Sequence, residues 1–209
     1  MIVELDPLEE TLPQLPFEPA PSLASRLAAF HRAGNARQFC WDQYLRFERI
    51  AHGDRDELTR FSAFVGADLE ELARWTPSMV SKNRFTLNGE MISSFRSRRI
   101  RVRLCPACAE EDMAAAPDLP PDAAVGIRAF ALVESIRTCP VHGLGLVQVA
   151  DRTTFGDHGD DYAIAVDEAL EDIDDLRSRS VQRPITRFEA YLLGRLGVVA
   201  MKVVHSERD

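Results

Sequence analysis

The sequence predicts a mainly α protein with a small zinc-ribbon-like β unit: an N-terminal helix-turn-helix, then Cys₃His zinc knuckles, then a C-terminal helical tail. Three observations carry this. Apolar residues recur at helical spacing from Leu23 to Ala73. After Pro77 the period shifts to alternation, ending in Ile100, Val102 and Leu104. That strand runs into Cys105-Pro106-Ala107-Cys108, answered by Cys139-Pro140-Val141-His142. The expected divisions are an extended proline-rich arm over 1–21, a helix-turn-helix-like domain over 22–80, a zinc-binding domain over 81–150, a linker over 151–162 and a helical segment over 163–209.

The arm holds Pro7, Pro13, Pro16, Pro19 and Pro21 with little periodicity. Ser22 is the expected cap of a first helix, with Leu23, Leu27 and Phe30 on one face and Gly34 as its stop. His31 beside that face has no partner in ligand spacing and reads as an ordinary histidine. A second helix is expected over Arg37 to Ala51, with Phe39, Trp41, Leu45, Phe47 and Ile50 as its apolar set and Cys40 as a small core residue. Asp54 followed by Glu57, and Asp68 followed by Glu71, resemble capping boxes opening two short helices. One is lined by Leu58, Phe61 and Val65, the next by Leu69, Leu72 and Ala73. The Gly66-Ala67-Asp68 turn between them has the length of a helix-turn-helix, and equally that of a bundle hairpin used only for packing. Glu70, Glu71 and Arg74 on the second helix are a poor set for meeting phosphates.

Beyond Pro77, Phe85-Thr86-Leu87 and Met91-Ile92 flank Asn88-Gly89 as a hairpin. The strand Ile100–Leu104 is expected to turn Ile100, Val102 and Leu104 inward and Arg99, Arg101 and Arg103 outward. Glu110 to Asp122 reads as an acidic insertion between the knuckles. Ile127, Phe130, Ala131, Val133 and Ile136 lead back to the second knuckle, and Gly143 to Val147 is expected to pair beside Ile100–Leu104. In the tail, Val166, Leu170 and Ile173 fall at helical spacing. Thr186 with Glu189 announces a last helix carrying Phe188, Tyr191, Leu192 and Leu196. The pair Asp174-Asp175 reads as a solvated face, since no histidine stands in register.

The knuckles decide the chemistry. Cys105, Cys108, Cys139 and His142 are two pairs of soft ligands, each spaced for one turn and stiffened by proline, which suits a tetrahedral Zn²⁺. A C-x-x-C redox pair needs no distant C-x-x-H, and four cysteines in 209 residues with no secretory signal do not make a disulfide framework. Three thiolates and an imidazole leave no position for an activated water, so one structural zinc is expected and no enzyme. Neither a Ser-His-Asp arrangement nor a glycine-rich phosphate loop appears.

Hydrophobic residues at 45% and charged residues at 28% describe a folded protein. No apolar run approaches the roughly 20 residues that span a bilayer. Glu4, Asp6, Glu9 and Glu10 stand where a signal peptide would be basic, so a cytoplasmic protein without membrane partners is expected. The net charge of −8 argues against a simple nucleic-acid binder. It is unevenly spread. Between Lys82 and Arg103 seven basic residues (Lys82, Arg84, Arg96, Arg98, Arg99, Arg101, Arg103) face Glu90 alone, whereas Asp157 to Asp175 holds nine acids and no Lys or Arg. The basic run is either a solvated face or a phosphate contact surface.

The runs Arg98-Arg99-Ile100-Arg101-Val102-Arg103-Leu104-Cys105-Pro106-Ala107-Cys108-Ala109-Glu110-Glu111-Asp112 and Ile136-Arg137-Thr138-Cys139-Pro140-Val141-His142-Gly143-Leu144-Gly145-Leu146 resemble the TniQ family. So does the opening helix Ser22 to Phe30 after its proline-rich arm, and the likeness spans roughly residues 12 to 150. Phe130 stands where the family usually has tryptophan. The resemblance implies a target-selection component of DNA transposition, with Cys105, Cys108, Cys139 and His142 as zinc ligands. Its implied partners are the transposition ATPase regulator or transposase complex and a target DNA or guide-RNA complex. A homodimer is left open. Longer members add DNA-reading modules, so a chain continuing into an acidic helical tail is expected to serve as an adaptor. A zinc-stapled protein-protein interaction scaffold without nucleic-acid contact is the other reading, favoured by the net charge.

Overall fold

Helix α1 (Ala20–Phe30) is buried almost all round, its Ser22, Ser25 and Arg26 included, and the other elements are hung on it. Leu23, Ala24 and Leu27 are fully buried, and α1 packs against helices from both halves of the chain. A computed structural model of the protein describes residues 5–81, 84–92, 101–151 and 161–199. The helix opens at Ala20 after an extended Pro19, two residues before the expected Ser22 cap. Ser22 is instead buried, its Oγ donating to Glu18 Oε1 at 2.8 Å and accepting from the Ile127 amide at 2.9 Å. A proline preset for the first turn made the cap unnecessary and freed the hydroxyl for a distant partner.

The proline-rich arm is docked along the core. Leu12 is buried, the Leu8 amide donates to Phe64 O, and Phe17 meets Trp75 and Phe130 edge to face at 5.0 and 5.8 Å. At its end Glu18 pairs with Arg26 at 2.9 Å, both side chains buried. Burial raises the Glu18 carboxyl, against the lowering pull of Arg26.

The expected helix over Arg37 to Ala51 is two: α2 (Ala36–Asp42) and α3 (Phe47–Ala51), with Tyr44 at φ 55 between them. On one continuous helix Leu45 would point away from Phe39, Phe47 and Ile50. The break lets all four reach the core and leaves Trp41 72% and Tyr44 70% exposed. Cys40 is fully buried there, its thiol pushed up by burial. His31 stacks on Phe39 and shares a hydrogen bond with Glu10 O.

Helices α4 (Arg55–Val65) and α5 (Leu69–Trp75) follow, joined through Gly66 at φ 69. Asp54 and Asp68 cap them by accepting from the Glu57 and Glu71 amides. The reciprocal half of each box goes elsewhere: Glu57 Oε1 accepts from the Arg46 amide at 2.9 Å, and Glu71 Oε1 from Trp75 Nε1 at 2.6 Å. Tertiary partners outcompeted the local one.

The small strands form two sheets. In the first, β1 (Ser78–Ser81), β2 (Arg84–Leu87) and β3 (Glu90–Ile92) are antiparallel in that order. Leu87 faces Glu90 across the Asn88-Gly89 turn, both turn residues at positive φ as the hairpin requires. In the second, β4 (Arg101–Leu104) pairs with β5 (Val147–Asp151). The expected partner strand is thus shifted past Leu146; Leu144 and Gly145 make single bridges to Gln182 and Thr138.

Part of the expected insertion is ordered helix: α6 (Pro106–Ala115) grows out of the first knuckle, and α7 (Pro121–Ala124) packs on α1. A 3₁₀ turn, Ala129–Leu132, then lies across β4. Of the expected linker 151–162, residues 152–160 lie outside the described residues, and Tyr162 already opens a helix. Helix α8 (Tyr162–Leu170) packs on α1 and β5, α9 (Ile173–Ser178) follows, and α10 (Arg187–Arg195) opens with the predicted capping box of Thr186 and Glu189. Leu193 on α10 and Leu196 at its C-cap turn inward, into the apolar cluster holding Cys105, Cys108, Cys139 and Trp75, while Phe188 and Tyr191 are exposed. Among the described residues no helix is long and apolar enough to cross a membrane.

Candidate metal centre

Two pieces of local geometry bring the knuckles together. Cys105 follows β4 directly and caps α6 in extended conformation; Pro106 presets the first turn, and Cys108 sits within it. Both thiols therefore lie at the positive end of a helix, where a thiolate is favoured. The second knuckle is a tight loop in which the Cys139 amide donates to Leu144 O at 2.7 Å and the Gly143 amide to Cys139 O at 2.9 Å. Gly143 at φ 63 closes it and leaves Cys139 and His142 on one side.

The four donor atoms lie within 4.8 Å of one another. His142 Nδ1 is 3.5 Å from Cys105 Sγ, 3.3 Å from Cys108 Sγ and 3.6 Å from Cys139 Sγ, and Cys108 and Cys139 are 3.7 Å apart. With metal–sulfur bonds of about 2.3 Å and metal–nitrogen bonds of about 2.0 Å, a tetrahedron has edges of about 3.8 Å (S to S) and about 3.6 Å (S to N). The four separations lie close to edges of that figure, and the two remaining ones fall within 4.8 Å. A disulfide would bring two sulfurs to about 2.05 Å, and all the cysteines are free.

Electrostatics point the same way. Hydrogen bonds to Cys105 and Cys139, with burial, push the Cys108 thiol far up. Cys139 is held down to about 2 by bonds from Cys105 and Cys108, helped by the His142 and Val141 amides. Three thiols this close cannot all ionise alone; a bound cation removes the conflict.

Glu111 completes the arrangement. It stands one turn after Cys108 on α6, and its Oε1 lies 3.0 Å from His142 Nε2. With Nε2–H donating to the carboxylate, the Nδ1 lone pair faces the sulfurs. Burial lowers the imidazole's basicity, but the bonds to Glu111 and Cys139 raise it further. The ligand reading omitted Glu111, although its place three residues after a cysteine in a helix was the available signal. Glu189 was read only as a cap; it is buried and also accepts from the Arg137 amide at 2.8 Å and Thr138 Oγ1 at 3.2 Å, clamping the second knuckle to α10. Hydrogen bonds from Thr186 and Arg137, outweighing burial, hold it at about 2.

The candidate phosphate-binding set is not assembled by the described residues. Lys82, Arg96, Arg98 and Arg99 lie outside them, as does the side chain of Arg101. Arg84 is exposed on β2. Arg103, expected to face outward, is buried: Nε and Nη2 donate to Ala131 O at 3.0 and 2.5 Å, Nη2 to Val133 O at 2.8 Å, and Nη1 to Ile136 O at 2.6 Å. The physical reason is that β4 is covered on both faces, by its apolar cluster and by the 3₁₀ turn, with a register shift between Val102 and Arg103. Arg103 thus ties the strand leading into the first knuckle to the segment leading into the second.

A family model described as TniQ matches residues 11–146 of the chain. No curated protein matches it, and no solved structure does.

Proposed function

The chain belongs to the TniQ family, and from that premise we propose that it is a non-catalytic, zinc-stapled adaptor in target-site selection for DNA transposition. The observation that carries this is the tetrahedral placing of Cys105, Cys108, Cys139 and His142 at the junction of β4, α6 and α10. All four positions are filled by protein donors, so one Zn²⁺ there holds two distant chain segments together and has no site for water. The zinc-ordered surface is the part offered to a transposition ATPase regulator or transposase complex, and to a target DNA or guide-RNA complex. Lys82, Arg84, Arg96, Arg98, Arg99 and Arg101 are the proposed phosphate-facing set, without Arg103. The helix pair α4–α5 is the proposed helix-turn-helix.

A second reading has its own observation. Trp41 and Tyr44 are exposed beside the α2–α3 break on a protein of net charge −8, which suits a scaffold acting through protein partners alone. Metal analysis combined with co-purification tests the first. It expects one equivalent of zinc and capture of the ATPase regulator encoded beside a transposase, lost on chelation. Absence of zinc, or capture unaffected by its removal, overturns it.

A further inference from the structure

We propose that the cleft between the second knuckle and the segment Arg179–Arg183 binds the sugar-phosphate backbone of a single-stranded nucleic acid. It rests on the adaptor reading for the presence of a nucleic-acid partner. The cleft, of about 340 Å³, is lined by Arg137, Arg179 and Arg183 around Leu146 and Val181, with Glu134 as its one acid.

Its far wall is built, not draped. The Gly145 amide donates to Val181 O at 2.9 Å and the Arg183 amide to Gly143 O at 2.8 Å. Ser180 Oγ donates to Gly145 O at 2.7 Å, and Arg179 Nη2 to Gln148 O at 2.6 Å. These bonds hold the backbone of 180–183 against the metal-holding loop and fix the Arg179 guanidinium, so that Arg137, Arg179 and Arg183 line one cleft. Arg179 is partly neutralised by Asp175 at 3.1 Å. For the side chains of Arg137 and Arg183, no carboxylate among the described residues lies within ion-pair distance, and Arg137 is exposed.

On a protein of net charge −8, three guanidinium groups facing one cleft, two of them without a carboxylate partner among the described residues, favour an anion there. Guanidinium forks match phosphate oxygens two at a time, and the apolar Val181, 66% exposed, suits the sugar between them. From Arg179 to Val199 the chain has four arginines and one acid, the buried Glu189, so this end of the tail is basic. Leaving the cleft, it enters α10, where Phe188 and Tyr191 stand exposed at i and i+3. Such a pair of rings stacks unpaired bases but finds none in a closed duplex. The wall 179–183 lies beyond the stretch matched by the family model.

The test is fluorescence anisotropy of the full, metal-loaded chain with a labelled single-stranded RNA, single-stranded DNA and duplex DNA of one mixed sequence. The double variant Arg137→Ala/Arg183→Ala should weaken single-strand binding about 10-fold and make the log–log salt slope shallower by about 1.4. Arg137→Gln alone, on an exposed side chain, should change that slope by about 0.7. Arg37→Ala, exposed on α2 and away from the cleft, should change neither. Variants that bind single strands with wild-type affinity and slope overturn the cleft, as does a wild-type protein that binds only duplex or only a polyglutamate probe. A wild-type protein that binds no probe also overturns it, while zinc content and capture of the ATPase regulator, if intact, leave the adaptor reading standing.

Discussion

Arg103 and Ala131 are joined twice, Nε and Nη2 of the one converging on the carbonyl oxygen of the other at 3.0 and 2.5 Å. The same guanidinium reaches Ile136 O and Val133 O, the latter also accepting from the Ile136 amide at 3.0 Å. Arg103→Ala should destabilise the protein by about 3 kcal/mol, since the buried carbonyls of Ala131 and Ile136 lose their donor. The thermal midpoint should fall by roughly 10 °C. Arg103→Lys should not rescue it, because one ammonium cannot span three carbonyls. A midpoint unchanged in either variant would contradict the strut.

Glu111 should act on the metal through His142. Glu111→Gln keeps the four ligands but weakens the acceptor at Nε2, and metal affinity should fall about 10- to 100-fold in competition with a chromophoric chelator. Cys139→Ser should go further and abolish stoichiometric binding. Equal affinity in Glu111→Gln and the wild type would make the 3.0 Å contact incidental.

Glu189 carries a pH dependence. Its carboxyl lies at about 2 when folded against a usual 4.5, so the unfolded chain takes up its proton first as pH falls. The resulting stability, of order 3 kcal/mol, is fully present above 4.5 and is lost as pH falls toward 2. Glu189→Gln should therefore be destabilised at neutral pH, with its deficit shrinking below pH 4.5 in denaturant titrations at matched zinc. A deficit independent of pH would assign the effect to packing.

Gly53 should tolerate no side chain. At φ 67, a Cβ there would lie 2.7 Å from Ser78 Cα and 2.8 Å from Pro77 O, backbone atoms that cannot step aside. This close approach lets the Met79 amide donate to His52 O and seats β1 against the helices. Gly53→Ala should cost about 2 to 3 kcal/mol by chemical denaturation, where Gly34→Ala, in open space, should cost nearly nothing.

Breaking the buried pair at the base of α1 should be the most damaging change in the N-terminal half. Arg26 also donates to Ala123 O at 2.8 Å and Pro13 O at 3.2 Å, so Arg26→Ala strands Glu18 and two carbonyls, at about 3 to 5 kcal/mol. Replacing both partners with apolar residues should recover part of that loss in a double-mutant cycle.

What could be read from the residues alone was whatever closes within a few positions. The two knuckles, the Asn88-Gly89 hairpin, the Asp54 and Asp68 caps and the Thr186–Glu189 box all depend on spacings set by backbone geometry, so each stands where expected. What could not be read was every outcome decided by a remote segment. Ser22 left its cap for Ile127, Glu57 left its box for Arg46, and the helix at Gln43 broke to put Leu45 into the core. Arg103 turned inward because the 3₁₀ turn Ala129–Leu132 covered the face that alternation assigned to water. A spacing rule assumes solvent on one side of an element. Only the folded chain determines which sides are covered, and burial then forces each polar group to find whatever partner lies there.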